Sequence, residues 1–258
     1  SEGLYYRASG EDPWKSEIPQ TFTTLYVKTA GDNTVMTAEQ MKAVADAVKA
    51  LAAPATVDFS EVVYESETFP NSFKSNANLA GIVFPQNVTK TASAAFQKTG
   101  MTSVTLLKGI SYGSNAFDSC ASLVSVTVEE GVTEIGNYMF QNTKLTDVTL
   151  PNSVTKIGAS AFNGCSLTTI NFGQGVKTIE NSAFQNCGEL TEIILPDATE
   201  TLGQNAFGDC PKLAKISLGK NMKTLEAYCF VGYSKGCPLL GDIICRATTP
   251  PTLKDDYG

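Results

Sequence analysis

Phenylalanine recurs along most of the chain at a near-constant interval: Phe73, Phe96, Phe117, Phe140, Phe162, Phe184, Phe207 and Phe230, with gaps of 23, 21, 23, 22, 22, 23 and 23 residues. The residues between them recur as well. After Phe162 come Cys165, Leu167, Ile170, Phe172, Val176 and Ile179; after Phe184 come Cys187, Leu190, Ile193, Leu195 and Leu202. The L-x-x-I-x-L stretch ends in apolar/polar alternation, the period-2 mark of a half-buried strand. The step from a strand's last apolar residue to the next phenylalanine is 12 residues at Leu150–Phe162 and Leu195–Phe207, and 11 at Leu106–Phe117, so the register of the core is kept. A turn this short cannot bury its own apolar face, so neighbouring turns must stack into one continuous core. The pattern predicts a right-handed solenoid with one parallel sheet of short strands at 79–84, 101–106, 123–128, 145–150, 167–172, 190–195, 213–218 and 240–245, and phenylalanines 96 to 230 in one buried column.

Upstream the period changes. Thr37 and Gln40 form a capping box, Met36 and Met41 a hydrophobic staple, and Met41, Val44, Ala45, Val48 and Leu51 share one helical face, predicting a helix over 38–52. It lies between the strand-like FTTLYVKTA and ATVDF, as an atypical terminal unit covering the first edge of a solenoid should. The predicted organisation is a tether at 1–20, a strand-helix-strand cap at 21–60, and a solenoid of about eight repeats, each 22–23 residues, at 61–258. The tether has no period and holds the only tryptophan, Trp14; the alternative is that Trp14 and Tyr5 pack onto the first structural unit.

Composition narrows the function. The 258 residues carry 19 basic and 26 acidic side chains, net −7, with no basic run, a balance that repels nucleic acid and anionic lipid. No stretch approaches the roughly 20 apolar residues of a membrane span. There is no histidine, which removes the commonest general base near neutral pH, the commonest metal ligand and every Ser-His or Cys-His nucleophile arrangement. No enzymatic activity and no cofactor is expected.

The remaining candidate chemistry has structural readings. Of seven cysteines, Cys120, Cys165, Cys187 and Cys210 fall three residues after a repeat phenylalanine, a slot that Asn76, Thr99 and Thr143 fill elsewhere. Cys237 fits the same slot if VGYSKG contains an insertion, Cys229 takes the alanine slot, and Cys245 takes a strand's last apolar position. Free buried thiols are expected, with Cys229–Cys237 the alternative disulfide. Glu129–Glu130 and Asp255–Asp256 read as solvated charge. The AGDNT turn offers only Asp32 and Asn33, too few for a calcium loop. Gly136, Gly158 and Gly203 precede the Ala-Phe step or its equivalent, where a tight coil is expected to need permissive backbone.

Segments such as LPNSVTKIGASAFNGC and LPDATETLGQNAFGDC resemble the BspA-like, Treponema-type leucine-rich repeats of bacterial surface proteins over about residues 60–253, and CRATTPPTL resembles the ending of secreted Bacteroides members. The resemblance implies an extracellular or cell-surface chain, with any signal peptide or lipid anchor removed. It further implies adhesion to host or neighbouring-cell proteins, and it carries over no catalytic residue. Outward strand positions form two columns, one with Thr105, Thr127, Thr149 and Asn171, the other with Asp147, Thr169, Glu192 and Lys215. A solenoid's concave sheet holds extended partners, so these residues are the candidate ligand-binding set, with Tyr233 of the VGYSKG loop as the rival site. The columns lack outward rings, which favours a protein ligand over a glycan taken up by a polysaccharide-uptake system; a passive spacer is the third reading.

Overall fold

A computed structural model describes residues 3–31 and 33–255. The chain divides into two compact units, Ser1–Thr102 with Ile110–Ser122, and Ser103–Gly109 with Leu123–Gly258. Asp32 and Asp256, named above as candidate carboxylates, lie outside the described residues.

The first unit contains β1 (Leu4–Arg7), β2 (Thr24–Thr29), α1 (Ala38–Lys49), β3 (Ala55–Glu61), β4 (Thr68–Phe69), β5 (Leu79–Val83) and β6 (Lys90–Thr91). Its main sheet has the order β1-β2-β3-β5, antiparallel between β1 and β2 and parallel thereafter. The segment expected as a tether thus supplies an edge strand, because Leu4 and Tyr6 alternate inward and are buried. Helix α1 has the predicted capping box, with Thr37 Oγ1 accepting from the Gln40 backbone and Gln40 Oε1 from the Thr37 backbone. It ends at Lys49 rather than 52: the Leu51 amide donates to the Val48 carbonyl in a tightened last turn, and Pro54 follows. Asn76 donates to the Ala45 carbonyl and Asn78 to those of Lys49 and Leu51, so residues of the first repeat cap the helix's C-terminal carbonyls.

The second unit stacks turns with two strand segments each. One ladder is β7 (Ser103–Leu106), β8 (Ser125–Val128), β10 (Asp147–Thr149), β12 (Thr169–Asn171), β14 (Glu192–Ile194), β16 (Lys215–Leu218) and β18 (Asp242–Cys245), paired in three stretches, β7-β8, β10-β12 and β14-β16-β18. The other, a second parallel ladder that the periodicity did not disclose, is β9 (Glu134–Ile135), β11 (Lys156–Ile157), β13 (Thr178–Ile179), β15 (Thr201–Leu202), β17 (Thr224–Leu225) and β19 (Thr252–Leu253). Two-residue strands leave no room for alternation, so their sequence signal is a single apolar residue. The first-ladder strands start about two residues later than predicted because the leading leucine closes a turn: Leu190 and Leu213 donate to the Cys187 and Cys210 carbonyls three residues back.

Phenylalanines stack inside each unit. In the second, Phe140, Phe162, Phe184 and Phe207 are fully buried, with successive ring centroids 5.6, 5.2 and 5.2 Å apart and planes within 18° of parallel. Phe230 stacks 6.5 Å beyond Phe207 but is half-buried, since the following turn carries no equivalent ring. In the first, Phe69 bridges Phe73 and Phe96 at 6.1 and 5.5 Å, and Phe96 stacks on Phe117 at 5.5 Å. The permissive backbone is not at the glycines before the Ala-Phe step. It lies two residues before and two after each repeat phenylalanine from Phe96 on, at residues such as Ser160, Ser182, Asn186 and Asn205, whose φ values are between 53° and 61°. Gly158 and Gly203 are required by close approach instead: a Cβ there would meet backbone of the preceding turn at 2.8 and 2.5 Å.

Phe162→Ala should cost about 3–5 kcal/mol by opening a cavity between two stacked rings, whereas Thr149→Ala, on an exposed face, should stay within about 0.5 kcal/mol. Urea unfolding of both variants checks this, and equal losses would reverse the assignment of inside and outside.

Candidate functional site

The predicted ligand-binding columns lie together on the outward face of the first ladder in the second unit. Parallel register pairs Thr105 with Thr127, Asp147 with Thr169, Thr149 with Asn171, and Glu192 with Lys215. Their intervening partners Val148, Ile193 and Ile216 point inward and are buried. Glu192 and Lys215 form an ion pair of 3.0 Å, while Asn171 Oδ1 accepts from the Gly173 amide. The columns thus present hydroxyls, amides and a few charges. Ile194 adds an apolar point, 59% exposed.

Beside this face is a shallow cavity of about 360 Å³, lined by Asn171, Gln174, Ile194, Asp197 and Arg246 among others. Arg246 spans successive turns, donating to the Leu195 and Leu218 carbonyls and pairing with Asp197 at 3.2 Å. No periodic signal marks it, because it falls after the last predicted strand.

Tyr233 is placed elsewhere, on the loop after Phe230. The loop is held by one buried carboxylate, Asp209, which accepts backbone N–H bonds from Tyr233, Ser234, Lys235 and Gly236. Burial pushes the Asp209 carboxyl up, but the four amides together outweigh it and hold the group well below the usual carboxylate range. Tyr233 itself is 69% exposed and its ring lies 5.9 Å from that of Tyr228. An aspartate one repeat before an insertion is the signal that would have located this anchor.

The cysteines occupy structural positions. All seven are free; five are buried, Cys237 is half-buried and Cys245 exposed. Sγ of Cys165, Cys187, Cys210 and Cys237 donates to the carbonyl of Phe140, Phe162, Phe184 and Phe207 respectively, at 3.1–3.2 Å. Burial raises the Cys165 thiol to about 11 and the Cys210 thiol to about 12, keeping them protonated as donors. Glu129 Oε2 accepts from the Lys108 amide, so this carboxylate closes a turn rather than only facing solvent. Among the described residues no group of three or more acidic or cysteine side chains is placed to hold a metal ion, and no helix is long and apolar enough to cross a membrane.

A stack of short parallel strands, one apolar column per strand and a repeated Phe-x-x-Cys turn define a leucine-rich-repeat β-solenoid. The chain matches the BspA type leucine rich repeat region, six copies over residues 57–112 and 110–236, and belongs to that family. Solved structures are similar to this chain to differing degrees. One is a leucine rich cell surface protein from Faecalibacterium prausnitzii A2-165, with 22% identity and a TM-score of 0.52 over 75% of this chain. The chain spans 60% of that protein. A leucine-rich repeat protein from Bacteroides ovatus aligns at 18% identity and a TM-score of 0.31, covering 77% of this chain and 73% of that one. The leucine-rich repeat protein of T. pallidum aligns at 17% and 0.38, covering 86% and 74%. No curated protein matches the sequence.

The Asp209 anchor makes a pH prediction. Its folded pKa lies below the unfolded value of about 3.9, so its contribution is fully present above that pH and is lost as pH falls toward the lower folded value. Asp209→Asn should lower the urea midpoint near neutrality and flatten its decline below about pH 4. A variant whose acid sensitivity equals the parent's would show that other carboxylates dominate.

Proposed function

We propose that this chain is a non-enzymatic, secreted or surface-anchored binding module that holds a protein of a host or neighbouring cell on its first-ladder face. The supporting observation is the face itself: two columns of outward side chains, paired in parallel register within each of three strand groups, with nearly all of their residues exposed, while the fold's stability resides in the buried columns behind them. Such a surface is extended and chemically varied, which suits a protein partner, and repeat proteins use faces of this kind. The Faecalibacterium relative is described as a cell surface protein, which supports the same location for this one. No aromatic ring stands in these columns, so a stacked sugar has no platform on this face.

The Tyr233 loop is the second reading, favoured by an exposed pair of tyrosines on a backbone pinned by Asp209.

A pull-down from surface-protein extracts should capture a partner that Thr127→Arg with Thr149→Arg loses, with the melting transition unchanged because both threonines are exposed. Loss on deleting Tyr233–Lys235, with the arginine variant still active, would move the site to the loop. Capture indifferent to both changes would remove both surfaces from the account.

A further inference from the structure

The sheet of the first unit carries an outward cluster that the repeat does not require. β1 and β2 pair so that Tyr5 stands opposite Lys28 and Arg7 opposite Tyr26, while Leu4, Tyr6, Leu25 and Val27 face the core. The Tyr6 amide and carbonyl bond the carbonyl and amide of Lys15 at 2.7 and 2.9 Å. This lays the returning chain along β1 and sets Trp14 over the same outward face. The Arg7 guanidinium carbon lies 4.2 Å, and Lys28 Nζ 4.4 Å, from the centre of the Trp14 ring. Arg7 is also 5.5 Å from the Tyr26 ring and Lys28 5.8 Å from that of Tyr5.

The cations here are distinguished by lying on aromatic rings. Nine of the 19 lysine and arginine side chains form ion pairs, and among the described residues Arg7 and Lys28 are not in that set. Asp58 and Glu61 are the register partners of Tyr26 and Lys28 on β3, yet neither pairs with them, and Asp58 Oδ1 is taken by the Ser60 amide. Arg7 Nε is buried with no hydrogen-bond acceptor. Stacking on rings accounts for Trp14 being held down, but a ring offers no oxygen acceptor to the guanidinium and ammonium donors. A carboxylate arriving from outside would meet them.

We infer that Arg7, Lys28 and the rings of Tyr5, Trp14 and Tyr26 form a docking site for an acidic segment of a protein partner. Its carboxylates would engage the two cations and its aliphatic carbons would cover the rings. Arg, Trp and Tyr are the residue types that carry most of the energy at protein interfaces. The two cations sit together, and opposite charge on a partner segment complements them. The inference rests on the protein-binding reading only for the class of its partner, and it names a different surface.

Trp14 is the only tryptophan, so intrinsic fluorescence reports on this site. The full chain is titrated with a glutamate decapeptide, a lysine decapeptide and oligogalacturonate. A saturable change is expected with the glutamate peptide and none with the lysine peptide. Affinity should fall about tenfold or more in Arg7→Gln and in Lys28→Gln, and should also fall with added salt, because exposed charges are screened within about 8 Å at physiological ionic strength. Lys28→Gln retains the Arg7–Trp14 contact, and an unchanged near-ultraviolet circular dichroism of Trp14 shows that its site is intact. No saturable response to the glutamate peptide, equal affinity in an intact Lys28→Gln, or a response to oligogalacturonate alone would each overturn the inference. Because the probe is a defined peptide, any of these results leaves the pull-down test of the ladder face standing.

Discussion

The structure depends on one constraint: a turn of 22 or 23 residues has an apolar side that it cannot bury alone. The main repeated contacts of the second unit satisfy that constraint between neighbours. Phe162 lies between Phe140 and Phe184, and its carbonyl receives the thiol of Cys187 from the next turn. Backbone amides do the same: Phe162 donates to the Ala183 carbonyl and Phe184 to that of Ala206. Ring stacking, buried sulfur donors and main-chain bonds therefore all run along the stacking direction. Stability becomes a property of adjacent pairs, and the ends of such an array are its weak points. The exposure of Ile243, at 52% where Ile193 and Ile216 are fully buried, shows the last turn lacking what its predecessors receive.

The cysteines illustrate how the same slot is filled by different chemistry. Thr143 donates to the carbonyl of Phe140 in its own turn, and Cys165 reaches that same carbonyl from the turn after. A thiol in this position is small enough for the bend and donates weakly, and burial keeps it protonated. Seven cysteines in a family of surface proteins would suggest disulfides on counting alone. The three-residue offset from phenylalanine overrides the count, because it assigns four of them the same inward position in separate turns.

Much of the fold was legible because buried positions repeat. Phenylalanine spacing, the L-x-x-I-x-L strand and the Thr37–Gln40 capping box each leave a local pattern that packing then uses. What was not legible had no period or too short a signal. The second ladder contributes one apolar residue per strand, such as Ile157 or Ile179. The left-handed residues flanking each phenylalanine vary between serine, asparagine, lysine and even Tyr138 and Tyr228, so no residue type marks them. Glycine misdirected the reading for a related reason: Gly158 and Gly203 serve close approach of backbones, which a sequence cannot distinguish from torsional freedom. The Arg7–Trp14 cluster was hidden because it depends on an antiparallel pairing outside the repeat.

The two candidate surfaces differ in how their chemistry is coupled to folding. On the ladder face, side chains such as Thr127 and Thr149 project from strands whose stability comes from Val126, Val148 and their buried or half-buried neighbours, so their identity is energetically almost free. Such positions can vary without altering the solenoid. The Arg7–Trp14 cluster has no such freedom, because Trp14 is positioned by a bridge to β1 and by the two cations it covers. Its geometry is determined before any partner arrives, and a rigid aromatic and guanidinium surface loses little side-chain entropy on association. If both surfaces bind as proposed, the division is economical: the fixed groups of the first unit supply affinity, and the residues that folding leaves unconstrained on the second supply discrimination.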